Sequence, residues 1–357
     1  MKKWCLVGLF ILVIFSNFYV SSIESVDALS GATALIKAPD FPKNLTLTIS
    51  GEVKQIYQLD AKQLATLPRM RIRTKEFTPT NEILGAYIYY AVPVQLLLEM
   101  VAPQKTSGAK FDRPLDMLVI FHSKEGKCSL FSYGELTLCS DKNPVSLAYY
   151  REGILPSKEA PDYNKNRFKN NIQGLKLICP GDKYTSRYLN QVISMKLVTP
   201  AKVRSQHLLI AQKGENDRYQ VLSVDEERIN SIKLNSFPLK TIKNRFRIGH
   251  GRGIKGITSS AQGYPIKNIL IKYFPHINKE DFFLFLAADG YRAIFSFYEI
   301  FQHAQGNNLF LLKSRNGKPI EEGFTLAVLE DFFIDRDVRE VKFVERIKPV
   351  NIGLNIE

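Results

Sequence analysis

The strongest constraint on the fold of this chain is internal repetition. Ser123–Leu136 reads SKEGKCSLFSYGEL, and Ala287–Ile300 reads AADGYRAIFSFYEI. Glu125-Gly126 aligns with Asp289-Gly290, Phe131-Ser132 with Phe295-Ser296, and Glu135 with Glu299. In each copy an apolar run, DMLVIFHSK or DFFLFLAA, leads into the acidic–Gly pair and a second apolar run follows it. That arrangement predicts a β-hairpin, because glycine supplies the positive φ that a tight turn needs. Backbone geometry explains the doublet before any catalytic carboxylate is invoked.

Three further blocks repeat in the same order. Ala91–Met100 aligns with Gly263–Lys272, matching Pro93 to Pro265 and Leu97-Leu98 to Ile269-Leu270. A proline followed by apolar residues at helical spacing predicts a helix start in each copy. Arg151–Pro156 aligns with Arg315–Ile320, and Gly174–Val192 with Gly323–Val341, which pairs Asp182 with Asp331 and Arg187 with Arg336. Blocks recurring in one order predict tandem copies of a domain, over 41–198 and 207–350, joined near Thr199–Gln206. The spacing is too long for a solenoid unit, and 357 residues suit two domains of about 150 residues each. LLIAQ, KGEND and RYQVLSV predict a hairpin opening the second copy, and longer loops at Val101–Pro114 and Ser157–Gln173 distinguish the first.

Hydrophobic residues at 45% and charged residues at 24% exclude a disordered chain. Residues 1–28 stand apart. Lys2 and Lys3 precede the apolar Trp4–Val20, and Val26-Asp27-Ala28 has the small-residue character of a cleavage site. This predicts a signal peptide and a periplasmic or extracellular location. The alternative is an uncleaved anchor, since Trp4–Val20 is near the shortest helix able to span about 30 Å of hydrocarbon; membrane association is expected only in that case. Beyond Cys5, the cysteines are Cys128, Cys139 and Cys179. They allow one bridge with one thiol left over, or serve as small buried apolar residues. The sequence has no CxxC, HExxH or Gly-x-Ser-x-Gly, which argues against a zinc ribbon, a zincin and a hydrolase elbow. A formal net charge of +14 suits an anionic ligand or surface. No RNA-binding motif or zinc finger accompanies it, so nucleic acid is not an expected partner.

The blocks also carry a resemblance. A β-rich start at Tyr57–Pro68 contains Leu64, Leu67 and Pro68; the Pro-led helix follows, then Asp289-Gly290-Tyr291 in the second copy, and Asp182, Lys183 and Arg187 before a closing strand in the first. This order resembles the molybdopterin-binding domain of the sulfite oxidase family, and within it the small exported members built from that domain alone. The resemblance covers Phe41–Val198 and Leu208–Val350. It implies an α+β, mostly β fold with mixed sheets and short helices, and an oxidoreductase that holds molybdenum through a cysteine thiolate shortly before the Pro-led helix. Here the chain departs from the family. Neither Arg73–Pro93 nor Arg245–Pro265 contains cysteine, and threonine, proline or glycine cannot replace a soft thiolate donor.

The resulting expectation is an exported, non-catalytic binding or scaffold protein, with no metal ligands and an anionic ligand or envelope protein as partner. A molybdopterin-dependent oxidoreductase with altered metal ligation is the alternative. A pterin bearing phosphate would need basic groups and backbone N–H donors. Gly249–Gly256 offers His250, Arg252 and Lys255, although it does not match a P-loop and also reads as a plain basic loop. Asp182, Lys183 and Arg187 are the other candidates. The repeated Asp182/Arg187 and Asp331/Arg336 pairs read either as a ligand-facing patch or as ion pairs fixing the loop before the last strand, and repetition favours the ion pairs. Alternation at Tyr87, Tyr89 and Tyr90 predicts a half-buried strand.

Overall fold

Strand pairings recur in order along the chain. The computed structural model describes residues 39–106, 109–140, 143–154, 172–200, 207–214, 218–225, 228–233, 237–245, 258–274, 276–303, 309–320, 323–329 and 331–348. The first half runs β1 (Thr46–Gly51), β2 (Tyr57–Asp60), α1 (Ala61–Ala65), β3 (Met70–Phe77), β4 (Ile83–Pro93) and α2 (Val94–Val101). It continues with β5 (Leu118–Ser123), β6 (Cys128–Ser132), α3 (Tyr133–Thr137), β7 (Ser146–Gly153), β8 (Leu175–Ile178) and β9 (Leu189–Val198). The second half opens with β10 (His207–Gly214), β11 (Arg218–Asp225), β12 (Arg228–Lys233), β13 (Lys240–Arg245), β14 (Thr258–Pro265) and α4 (Ile266–Tyr273). It closes with β15 (Phe282–Ala287), β16 (Arg292–Ser296), a π-helical turn (Tyr298–Gln302), β17 (Leu309–Arg315), β18 (Lys318–Pro319), β19 (Thr325–Val328) and β20 (Val341–Ile347).

In the first half β3, β4, β7 and β8 pair in succession, all antiparallel. In the second, β13, β14, β17 and β19 do the same. The β5–β6 hairpin lies on β9, and the β15–β16 hairpin lies on β20. The flanks differ. β1 runs parallel to β9 with β2 beside it, whereas β10 is antiparallel to β20 and is extended by β11 and β12. β8 also pairs with β9, while β19 reaches the segment before β20 through a single Leu326–Val338 bridge. The first half is therefore one nine-stranded sheet, and the second is two sheets of six and five strands. The protein is mostly β, with mixed sheets and a few short helices.

Local chemistry accounts for the repeated elements. Gly126 and Gly290 take φ of 83° and 89° at the hairpin turns, and no atom lies within 4 Å of where a Cβ would stand. Conformation, and not space, selects glycine there. Pro93 and Pro265 precede α2 and α4. These helices bury Val94, Leu97, Leu98 and Val101, and Ile266, Ile269, Leu270 and Tyr273. That spacing marks one apolar face, and each buried side chain stabilises by about 1.5–3 kcal/mol. Tyr57–Pro68 departs from the expected β-rich start. After four strand residues, Asp60 and Gln63 form a capping box, with Gln63 N donating to Asp60 Oδ1 at 2.8 Å and Asp60 N to Gln63 Oε1 at 2.9 Å, and α1 begins.

The halves share an apolar seam. Leu118, Leu130 and Val198 pack with Phe282, Leu284, Ile294 and Ile347, so Phe41–Glu357 forms one compact unit. Cys128, Cys139 and Cys179 are unbridged. Among the described residues no helix is long and apolar enough to cross a membrane; Trp4–Val20 lies outside them.

Candidate functional site: a reciprocal lock beside a basic cleft

The repeated charged residues meet at the seam in two parallel sets. Arg187 donates through Nε and Nη2 to the two oxygens of Asp182, at 2.8 and 2.6 Å, and through Nη2 to Glu135. Arg336 makes the same fork with Asp331, at 2.7 and 2.6 Å, and donates through Nη1 to Glu299. Each guanidinium also lies over a phenylalanine of its own half, Arg187 over Phe131 and Arg336 over Phe295. The serines then cross the seam. Ser132 Oγ donates to Glu299 Oε2 at 2.8 Å, and Ser296 Oγ donates to Glu135 Oε2 at 2.9 Å. The backbone follows suit, with Lys183 N donating to the Gln302 carbonyl and Phe332 N to that of Leu138. Asp182–His303 and Cys139–Asp331 form matching β-bridges.

This network is buried, and burial dominates its electrostatics. It opposes the charge on Arg187, but Asp182 and Glu135 together hold that guanidinium well above its ordinary pKa. Burial pushes the Asp331 carboxyl up to about 6 against the pull of Arg336. Glu299 is raised for the same reason, with Glu135 adding to the rise. Removing one member of such a set would strand a buried charge, at a cost of about 3–5 kcal/mol. Arg187 and Arg336 are thus structural ion-pair centres that fix the loops before β9 and β20.

Beside the first centre lies a cleft of about 680 Å³. One wall is β3, whose period-two burial turns Ile72, Thr74 and Glu76 inward and leaves Arg73 and Lys75 exposed. Inside, Glu76 accepts from Tyr89 at 2.6 Å and Lys176 donates to Tyr89 at 3.1 Å, which anchors the strand. The opposite wall is the Pro180–Tyr184 loop, which brings Asp182 and Lys183 to the cleft. The walls are tied together: Tyr184 Oη donates to Asn81 Oδ1 at 3.0 Å, and Thr185 Oγ1 to the Phe77 carbonyl at 3.2 Å.

Of the residues singled out in the sequence, Asp182, Lys183 and Arg187 therefore come together, with Arg187 behind the cleft wall. His250, Arg252 and Lys255 lie outside the described residues. Arg73 and Lys75 were not candidates in the sequence, although the alternation in Arg71-Ile72-Arg73-Thr74-Lys75 marks a basic strand face. Tyr87, Tyr89 and Tyr90 are all buried on β4, a deeper placement than a half-buried strand would give them.

The resemblance implies a molybdenum–pterin group held by a thiolate, and the residues present do not fit that donor chemistry. The strand facing the cleft supplies a guanidinium and an ammonium. The nearest sulfur by sequence, Cys179, is buried, donates to the Arg187 carbonyl at 3.8 Å, and has its thiol pKa raised by burial and then by Asp182. Cys128 sits on β6 opposite His122. Among the described residues no three His, Cys, Asp or Glu side chains are placed to hold a metal ion.

Among solved structures, the chain is similar to the sulfane dehydrogenase SoxCD from Paracoccus pantotrophus, at 13% identity and a TM-score of 0.33, over 86% of this chain and 80% of that one. No protein-family model matches the chain, and none of the curated proteins does.

Proposed function

We propose that this protein is an exported, non-catalytic binding protein built from two copies of a domain of the sulfite-oxidase-like, molybdopterin-binding fold. The observation that carries this reading is the character of β3. In the stretch where the family places its metal-holding cysteine, this chain presents Arg73 and Lys75 to a cleft. Those groups attract anions and repel metal cations. The duplication is supported by the recurring strand pairings and by the exchange of matched serine–glutamate bonds across the seam. Export rests on Lys2, Lys3, Trp4–Val20 and the Val26-Asp27-Ala28 triplet. The partner is an anionic ligand, or an envelope protein presenting one.

The test is molybdenum and pterin content of protein purified from a host that makes the cofactor. The expected result is neither in stoichiometric amount. One molybdenum per chain, with pterin fluorescence after oxidation, would overturn the reading and favour an oxidoreductase with altered metal ligation.

A further inference from the structure

We infer that the cleft between β3 and the Pro180–Tyr184 loop binds a small organic anion, a phosphate monoester or related dianion on an apolar body. This rests on the binding-protein reading and deepens it by naming the ligand class. Arg73, Lys75 and Lys183 line one cavity and are exposed to it. Among the described residues none of the three has an ion-pair partner. Asp182, the acidic residue on the wall, has both oxygens engaged by Arg187. Among the described residues the positive charge lining the cleft is uncompensated, and a cluster of like charges is stabilised by a bound anion. Guanidinium and ammonium donors suit phosphate oxygens in particular.

The size and apolar lining of the cleft select the body of the ligand. A volume of about 680 Å³ lies within the usual range for small-molecule sites, about 300–1,000 Å³. Phe77, Ala86, Ile154 and Pro180 give the cavity an apolar floor and wall, which a bare inorganic ion would leave unused. The bonds from Tyr184 to Asn81 and from Thr185 to Phe77 hold the walls at a fixed separation. The fold does not demand the charge. At the matched place in the second half, the backbone bond made by Lys183 is made by Phe332, which is 52% exposed. The Lys183 ammonium is therefore a feature of this cleft and not of the seam.

The test is isothermal titration calorimetry of the full chain with 1-naphthyl phosphate, with 1-naphthol and inorganic phosphate as comparisons. Saturable binding of one naphthyl phosphate per chain is expected, tighter than either comparison. The triple variant Arg73→Gln, Lys75→Gln, Lys183→Gln should weaken it by about tenfold or more, as loss of charge-assisted bonds implies, with an unchanged unfolding midpoint because all three side chains are exposed. Lys243→Gln, on an exposed position of β13, should leave it unchanged. Absence of saturable binding, indifference to the triple substitution, or equal weakening by Lys243→Gln would overturn the site. Inorganic phosphate binding as tightly as the naphthyl ester would overturn the apolar-body part. Bound molybdenum with naphthyl phosphate binding intact would sink only the proposed function; absent molybdenum with no binding would sink only this inference.

Discussion

The two arginine centres are built from matched residues and differ in what surrounds them. Arg336 lies against Gly134, where an added Cβ would stand 2.3 Å from its Cδ. At the matched position of the other hairpin stands Tyr298, and its ring packs on Arg187 at 4.4 Å. Arg336 bonds Asp331, Glu299 and, at 3.5 Å, Ser132, whereas Nη1 of Arg187 has no hydrogen-bond partner among the described residues. The Asp331 and Asp182 side chains are both sealed, at 1% and 3% exposure, but Asp182 belongs to the loop that lines the cleft. The same lock thus has a closed end and an end beside a cavity. Keeping the ion pair beside a cavity would let one half carry the proposed binding site without loosening the seam.

Breaking the closed end should cost most. Arg336→Met strands Asp331 and Glu299 away from water, with an expected loss of about 3–5 kcal/mol by urea unfolding. Arg187→Met should cost less, because Asp182 sits on the wall of the cleft, where a small shift of its loop would admit water. The reverse ranking would contradict the closed-versus-open distinction. Gly134→Ala should follow at about 1–3 kcal/mol, the usual range for overpacking. Tyr298→Phe on the open side keeps the ring on Arg187 and should be milder. Ser132→Ala and Ser296→Ala each leave a buried carboxylate oxygen short of a donor, at about 1–3 kcal/mol. Because both serve the Glu135–Glu299 pair, the double variant should depart from additivity by about 0.5 kcal/mol or more.

Burial of Asp331 also implies a pH dependence. Asp331 is raised from 3.8 to about 6 by burial, so between those values the folded chain holds a proton that the unfolded chain has released. Its contribution is complete below the unfolded value and is lost as pH rises through the folded one. The stability difference between wild type and Asp331→Asn should therefore shrink as pH rises from about 4 to about 7, in unfolding curves taken at stepped pH. A difference that grows with pH would show that Arg336 outweighs burial.

Much of this was legible in the sequence where local chemistry decides the outcome. Pro93 and Pro265 start helices, and Gly126 and Gly290 turn hairpins, because those residues restrict or free their own backbone. The ion pairs Asp182–Arg187 and Asp331–Arg336 were legible too, five residues apart and repeated. The matched Ser132, Ser296, Glu135 and Glu299 were visible, but that they exchange partners depends on how the hairpins face each other, which no local pattern encodes. Arg73 and Lys183 lie far apart in sequence, and only the β3-to-loop approach makes them one cleft. α1 is hard to see in the sequence because its signal is a two-residue cap, Asp60 with Gln63, directly after strand residues.

Each half completes the other's buried carboxylate, so the two halves are expected to unfold together. Differential scanning calorimetry of the full chain tests it most directly. A single transition, with calorimetric and van't Hoff enthalpies in agreement, is the expected result. Two resolved transitions, one per half, would contradict it.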